Sequence, residues 1–361
     1  MNVGVIGSGA ISDIYLENMI HKFDNLNVIA IASQHLENAQ KKGEKFNISA
    51  CSVEELLQNP EVELVVNLTP VGAHYQVIRD ALNAGKHVYT EKTLTDDVEK
   101  ARELLELADR KGRILASAPE TFLGAALQTA RKAIDEGMLG DIHSFNIAAN
   151  RDNDILTGVF AFLRQPGAGI LFDYGVYYMT GLVSLLGPVK RVGSMIAAPY
   201  PKRVNPVPGM KDTGKEIETP NESIASAVIQ MANGITGTFH MNAETICKDQ
   251  AHFVIYGKKG ILYLTDPNQF GGQVRFLPNN FNFENSGEPV VLEPVNPYED
   301  NYRGIGVSEM AKALAEGKEN RASKEMAFHV QEALQAMLQS GKEGTFVDII
   351  STMKRPEPFE G

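Results

Sequence analysis

Val3-Gly4-Val5-Ile6-Gly7-Ser8-Gly9-Ala10-Ile11-Ser12 sets a Gly-x-Gly-x-x-Ser turn between a short apolar run and an amphipathic one. The first reads as a strand over 2–6 and the second as a helix over 10–21. Gly7 permits a tight turn, and Gly9 lets the backbone approach a pyrophosphate. The amides around Ser8, Ala10 and Ile11 supply donors and the positive end of the helix dipole. Ser12 takes the third small position, where the helix packs closely on the strand.

A glycine triplet alone arises by chance, so the units behind it give it weight. Expected strands at 28–32, 64–68, 87–90 and 113–117 alternate with helices at 36–45, 53–58, 73–84 and 96–111. Ser52 and Glu55 form a capping box, and Gly85 and Gly112 stand where helix-ending glycines belong. Strands alternating with crossover helices imply an α/β domain over 1–120, a doubly wound parallel sheet covered on both faces.

Beyond residue 120 the rhythm changes. A helix is expected over 122–136, a strand over 142–149, and a glycine-rich turn leading into a helix over 170–186. Strands follow at 189–197, 224–231, 235–242, 252–256, 261–265 and 274–277, then helices at 306–316 and 324–340. Asn233-Gly234 signals a hairpin, and Lys259-Gly260 a second turn. Residues 121–361 thus read as an α+β domain with a large, mostly antiparallel open sheet, expected to carry the contact of a homodimer or homotetramer. Five of the 17 prolines lie between Pro199 and Pro220, so that stretch is expected to be irregular rather than a strand.

The 361 residues carry 34 Lys plus Arg against 45 Asp plus Glu, a formal charge of −11. An acidic balance lacks the basic stripe that draws a protein onto phosphate backbones, so nucleic acid and anionic membrane are poor partners. Met1-Asn2-Val3 leads straight into a strand pattern, with no signal-peptide features and no membrane-length apolar run. Cys51 and Cys247 are the only cysteines, which fits a reducing compartment, and a cytoplasmic location is expected. The histidines, among them His240, His252 and His329, show no ligand spacing, so no metal site is expected.

In an open parallel sheet, ligands sit beyond the carboxyl ends of the strands. Thr69 and Pro70, His74, and the pair Glu91-Lys92 occupy such positions. His74 reads equally as a structural histidine, and a lysine like Lys92 is ordinarily a solvated cation. The second strand ends in Ala32-Ser33-Gln34-His35, with no acid until Glu37 to bind a ribose 2′-hydroxyl. That favours NADP slightly over NAD, with Ser33 and His35 as contacts, although no arginine is present to grip a phosphate. Further on, Asp173 and Tyr177 stand four apart and share a helix face, or else serve as a helix-start acid and a core aromatic. Asn150 and Arg151 are candidate substrate contacts, with a solvent-facing loop as the alternative.

The glycine turn, Thr-Pro-x-x-x-His at 69–74, Ala-Gly-Lys-His-Val at 84–88 with Glu91-Lys92, and Gly-x-Gly-x-Leu-x-Asp-x-Gly-x-Tyr at 167–177 together resemble the glucose-fructose oxidoreductase, inositol dehydrogenase and rhizopine-catabolism family. The resemblance covers essentially the whole chain and implies a Rossmann domain plus an α+β domain. It also implies hydride transfer between NAD or NADP and a secondary alcohol or carbonyl of a sugar, polyol or cyclic diol. Lys92 matches the lysine of the family's Glu-Lys-Pro motif. Asp173 and Tyr177 match its Asp-x-x-x-Tyr pair, the version similar to the subgroup containing dimeric dihydrodiol dehydrogenase. Thr93 stands where the family has proline, and a cis bond is rare without proline, so Lys92–Thr93 is expected trans.

Hydride transfer requires a proton to leave the substrate hydroxyl or reach its carbonyl. A phenol titrates near ~10 when unperturbed, so Tyr177 needs the ammonium of Lys92 to act as that base, with Asp173 orienting the substrate or keeping Lys92 charged. Two readings compete: a non-catalytic cofactor-binding regulator, which would not need Lys92, Asp173 and Tyr177 together, and an NAD-assisted glycoside hydrolase, in which the redox residues would look alike.

Overall fold

The computed structural model describes residues 1–165, 167–246, 251–282 and 287–361, and Cys247 lies outside them. These form two compact units: Met1–Leu123 with Asn301–Phe328, and Gly124–Asp300 with His329–Gly361. Residues 301–328, assigned to the second domain by the sequence pattern, belong to the first unit. The reason is visible at the sheet edge, where the Ser117 amide donates to the Ala322 carbonyl and Ala116 forms an antiparallel bridge with Ser323.

The first unit holds six strands: β1 (Asn2–Ile6), β2 (Asn27–Ala32), β3 (Ser49–Cys51), β4 (Leu64–Asn67), β5 (His87–Thr90) and β6 (Leu115–Ser117). Their order is β3-β2-β1-β4-β5-β6, and every pairing is parallel. The strand order reverses between β1 and β4, which makes the crevice beyond their carboxyl ends the switch point of the sheet. Val3, Val5, Leu64, Val65 and Val66 are wholly buried, as expected for strands covered on both faces. Three-residue β3, Ser-Ala-Cys, carries no apolar pattern and has no counterpart in the sequence reading.

Helix ends follow local chemistry. The Ser52–Glu55 capping box forms, and Gly112 ends the helix Val98–Lys111 in the left-handed region. That helix begins after Asp97 because the Asp97 carboxylate accepts from the amides of Glu99 (2.9 Å) and Lys100 (3.0 Å). Replacing Asp97 with Ala should lower stability by about 1 kcal/mol, read as a fall in the urea midpoint at constant slope. An unchanged midpoint would mean that the cap contributes nothing.

The second unit contains β7 (Ile142–Asn150), β8 (Val189–Ala197), β9 (Lys202–Val204), β10 (Glu216–Glu218), β11 (Ile224–Met231), β12 (Thr236–Asn242), β13 (His252–Gly257), β14 (Gly260–Leu264), β15 (Arg275–Pro278), β16 (Val290–Val291) and β17 (Val347–Asp348). Nine of them form a sheet ordered β16-β15-β14-β13-β7-β12-β11-β8-β17, antiparallel throughout except for the β7–β12 pair. Alternating burial along β11 shows one covered face and one open face. The helix Val176–Leu186, buried at every position, belongs to the covered side, where Gly181 abuts Phe253. Among the described residues, no helix is long and apolar enough to cross a membrane.

Three local expectations are corrected. The proline-rich stretch 199–220 is not wholly irregular, since β9 and β10 pair there, with the Lys202 ammonium near the carboxylates of Glu216 and Glu218. The expected helix over 122–136 is broken: a 3₁₀ turn, Glu120–Leu123, precedes the helix Ala125–Asp135. Gly124 sits between them because a Cβ there would lie 2.5 Å from the Phe270 carbonyl oxygen. The helix over 170–186 opens with a π-helical turn, Leu171–Gly175, before the α-helix starts at Val176.

Candidate active site

The glycine turn is held against the ends of two strands. The Gly7 amide donates to the Ala32 carbonyl at 2.9 Å, and a Cβ on Gly7 would meet the Leu68 carbonyl at 2.6 Å, so only glycine fits, at φ +119°. Ser12 is wholly buried and its hydroxyl donates to the Gly9 carbonyl at 2.7 Å, which explains the small third position. Around Gly9 the Cβ position is open, and no side chain caps the helix Ile11–His21. Open backbone with an uncapped helix start fits the pyrophosphate of a dinucleotide. Ser8, Gly9, Ala10 and Ile11 would hold that group.

Ser33 and His35 lie in the loop after β2, where the Ser33 hydroxyl donates to the His35 carbonyl at 2.6 Å. Beyond β4, the Thr69 hydroxyl and backbone amide both donate to Asn67 Oδ1 (2.7 and 3.2 Å), and Asn67 Nδ2 donates to the Thr90 hydroxyl at 2.9 Å. His74 is wholly buried, its Nδ1 2.7 Å from the Thr93 carbonyl and its Nε2 2.8 Å from the Thr69 carbonyl. Burial pushes the imidazole pKa down, although both carbonyls pull it the other way. His74 therefore ties the Thr69-Pro70 turn to the Glu91-Lys92-Thr93 turn from beneath.

Glu91 extends the same lattice. Its amide donates to the Asn67 carbonyl (2.9 Å), and its carboxylate accepts from the Lys92 amide (3.1 Å) and the Tyr15 hydroxyl (2.8 Å). The Lys92–Thr93 bond is cis, not trans as expected from Thr93 alone. Tertiary hydrogen bonds hold this segment, since Thr93 is buried with its carbonyl on His74 and its hydroxyl donating to the Thr95 carbonyl at 3.0 Å.

In the second unit, β7 ends at Asn150. The Arg151 amide donates to the Asn242 carbonyl, and its guanidinium stacks 3.6 Å from the centre of the Tyr174 ring. The Tyr174 hydroxyl donates to Asp266 at 2.6 Å. Asp173 lies in the π-turn, and Tyr177, 8% exposed, in the first turn of the α-helix. The four-residue spacing thus crosses a π-turn rather than a uniform α-helix. Asp173 lines a cavity of about 20 Å³ with Asn153, Thr157, Asn221 and Glu222. That is room for one water among polar partners.

Glu222 was not anticipated from the sequence. Its carboxylate accepts from the Leu171 amide and its backbone carbonyl from the Ile170 amide, both at 3.1 Å, so it caps the helix start from the segment just before β11. A Cβ on Gly169 would fall 2.0–2.1 Å from its carboxylate atoms, which accounts for the second glycine of Gly167-Ala168-Gly169. Burial raises the Glu222 pKa to about 7. Asn67, Tyr15 and Glu120 were also missed. Only Asn67 had a local signal, as a polar residue closing the apolar run Leu64-Val65-Val66.

Residues 1–118 match the family model described as "Oxidoreductase family, NAD-binding Rossmann fold", and residues 127–263 match the GFO/IDH/MocA C-terminal domain. Scyllo-inositol 2-dehydrogenase (NADP(+)) of Bacillus subtilis is 26% identical over 198 residues, and the chain spans 55% of that relative's length and 55% of its own. D-Glucoside 3-dehydrogenase of Escherichia coli is 24% identical over 97% of both chains. The crystallised levoglucosan dehydrogenase in complex with NADH superposes with a TM-score of 0.83 at 21% identity, covering 97% of this chain and 99% of its own, which establishes the shared fold. With both of its domain models matched in order along the chain, the protein belongs to the GFO/IDH/MocA oxidoreductase family.

Proposed function

We propose that the chain is an NAD(P)-dependent dehydrogenase or reductase acting on a secondary alcohol or carbonyl of a sugar, polyol or cyclic diol. The observation that carries this reading is the hydrogen-bonded lattice that collects the glycine turn, Thr69, Glu91 and Lys92 at the carboxyl ends of β1, β4 and β5. When bound, the nicotinamide cofactor supplies the hydride chemistry. The chain's part is to position the substrate and manage one proton. Tyr177 takes or returns the hydroxyl proton, the Lys92 ammonium favours the phenolate and hydrogen-bonds the substrate oxygen, and Asp173 orients the substrate. Asn150 and Arg151 are assigned to substrate contact. The relatives named for inositol and glucoside oxidation support a polyhydroxylated substrate.

A turnover screen of sugars, inositols, deoxysugars and cyclic trans-diols with both cofactors tests the reading. Net formation of oxidised or reduced nicotinamide supports it, whereas cofactor binding with silence across the panel favours a regulator. The β2 loop offers Ser33 and His35 and no carboxylate before Glu37, so NADP should bind more tightly than NAD. Titration of both dissociation constants checks this, and a clear preference for NAD overturns it.

The open face of the nine-stranded sheet bears a groove of about 700 Å³ lined by Phe145, Val228, Tyr256 and Phe346. Its exposed Val228 and Phe346 support assembly through this face, as a dimer or tetramer that light scattering would register. The two-cysteine composition supports a cytoplasmic setting.

A further inference from the structure

We infer that Glu120 is a positioning residue for the Glu91-Lys92 turn, holding a proton that it donates to Tyr15 while Tyr15 donates to Glu91. This rests on the reading of Lys92 as a reactive residue, but its geometry stands alone. Glu120 is 1% exposed and is surrounded by three donors or acceptors. The Gly304 amide donates to Oε1 at 2.7 Å, the Tyr89 hydroxyl bonds Oε2, and the Tyr15 hydroxyl lies 3.1 Å from Oε2 and 2.8 Å from Glu91 Oε1.

A phenol owns one hydrogen, and two carboxylate oxygens lie within reach of Tyr15. With both acids ionised, one of those contacts would be oxygen against oxygen with no hydrogen between them. One added proton fills every contact in the chain Tyr89, Glu120, Tyr15, Glu91. Glu91 is the less buried acid and already accepts from the Lys92 amide, so the proton resides on Glu120. Burial and the charge of Glu91 both push the Glu120 carboxyl pKa up, while Tyr89, the Gly304 amide and Arg303 pull it down. Glu309 also faces the cluster through Tyr89.

Tyr15 sits on the helix that follows the glycine turn, Tyr89 on β5, and Gly304 just before the helix Ile305–Glu316. The protonated acid thus fastens the cofactor-side helix to the loop that aims Lys92. An ionised Glu120 would repel Glu91 through the shared phenol.

Infrared difference spectra of wild type and Glu120→Gln, cofactor bound and at neutral pH, provide the test. A protonated-carboxyl C=O band present in the wild type and lost in Glu120→Gln is expected. In the same preparations, Glu120→Ala should lower kcat roughly tenfold, and Glu120→Gln, which can donate to Tyr15 as the acid does, should recover part of the loss. A difference spectrum between the two proteins that lacks this band overturns the inference; Glu222, whose carboxyl is also partly protonated near neutral pH, contributes equally to both proteins and cancels. This readout stands even if Glu120→Ala fails to fold. If the band behaves as expected while Lys92→Ala turns over normally, the role of Lys92 fails and the protonated Glu120 survives.

Discussion

Tyr177→Phe and Lys92→Ala should each lower kcat by roughly 10²–10⁴-fold, the usual worth of a positioned proton-transfer group. The two changes remove different things. Phenylalanine keeps the ring that packs 6.5 Å from Tyr174, so no cavity opens and only the hydroxyl is lost. At Lys92, truncation spares the amide that donates to Glu91, so the turn keeps its backbone tie while the ammonium disappears. Both variants should therefore unfold at nearly the wild-type temperature and bind cofactor at nearly the wild-type dissociation constant. Steady-state kinetics on any substrate found in the screen would show the loss. Wild-type turnover in either variant would remove that residue from the proton chemistry. A loss confined to KM would reassign it to ground-state binding.

The second large effect concerns stability. With a Glu222 pKa of about 7 in the folded state against an ordinary value of 4.5, the native protein binds this proton more tightly than the unfolded chain does. The stability linked to that proton is fully present below the ordinary value and is lost as pH rises through about 7. The difference corresponds to on the order of 3 kcal/mol. Glu222→Gln carries no titrating proton, so the wild type should lose more stability than the variant between about pH 5 and about pH 8. Urea unfolding of both proteins at the two pH values measures it, because other titrating groups largely cancel in the comparison. Parallel losses would mean that Glu222 titrates at its ordinary value when folded. The physical cause lies in its position, wedged against Gly169 with the Leu171 amide as partial compensation.

Much of the first unit was legible because its signals are local. Val3 to Ser12 contains a strand, a turn and a helix start within ten residues, and His87–Thr90 and Val53–Gln58 were read at their observed bounds. Asn233-Gly234 marked a hairpin correctly. Gly234 takes positive φ, and the Met231 amide closes the loop onto the Ile235 carbonyl, so residues 232–234 turn the chain, the three that the expected strand bounds left between them. The π-turn at Leu171–Gly175 was hidden because apolar spacing cannot separate it from an α-turn over five residues.

By itself the sequence determined the alternation of strands and helices, the glycine turn at Gly7 and Gly9, and the identity of the candidate reactive groups Lys92, Asp173 and Tyr177. These depend on backbone preference and residue chemistry within a few positions. Only the tertiary structure decided that residues 301–328 return to the first unit, that Lys92–Thr93 is cis, and that Glu120 meets Tyr15 across 105 positions of chain. It likewise brought Glu222 to a helix start 51 residues away. The physical reason is common to all of these. A buried carboxyl group or a displaced segment is stabilised by partners that no local pattern specifies, and those partners meet only when the sheet and its helices close around them.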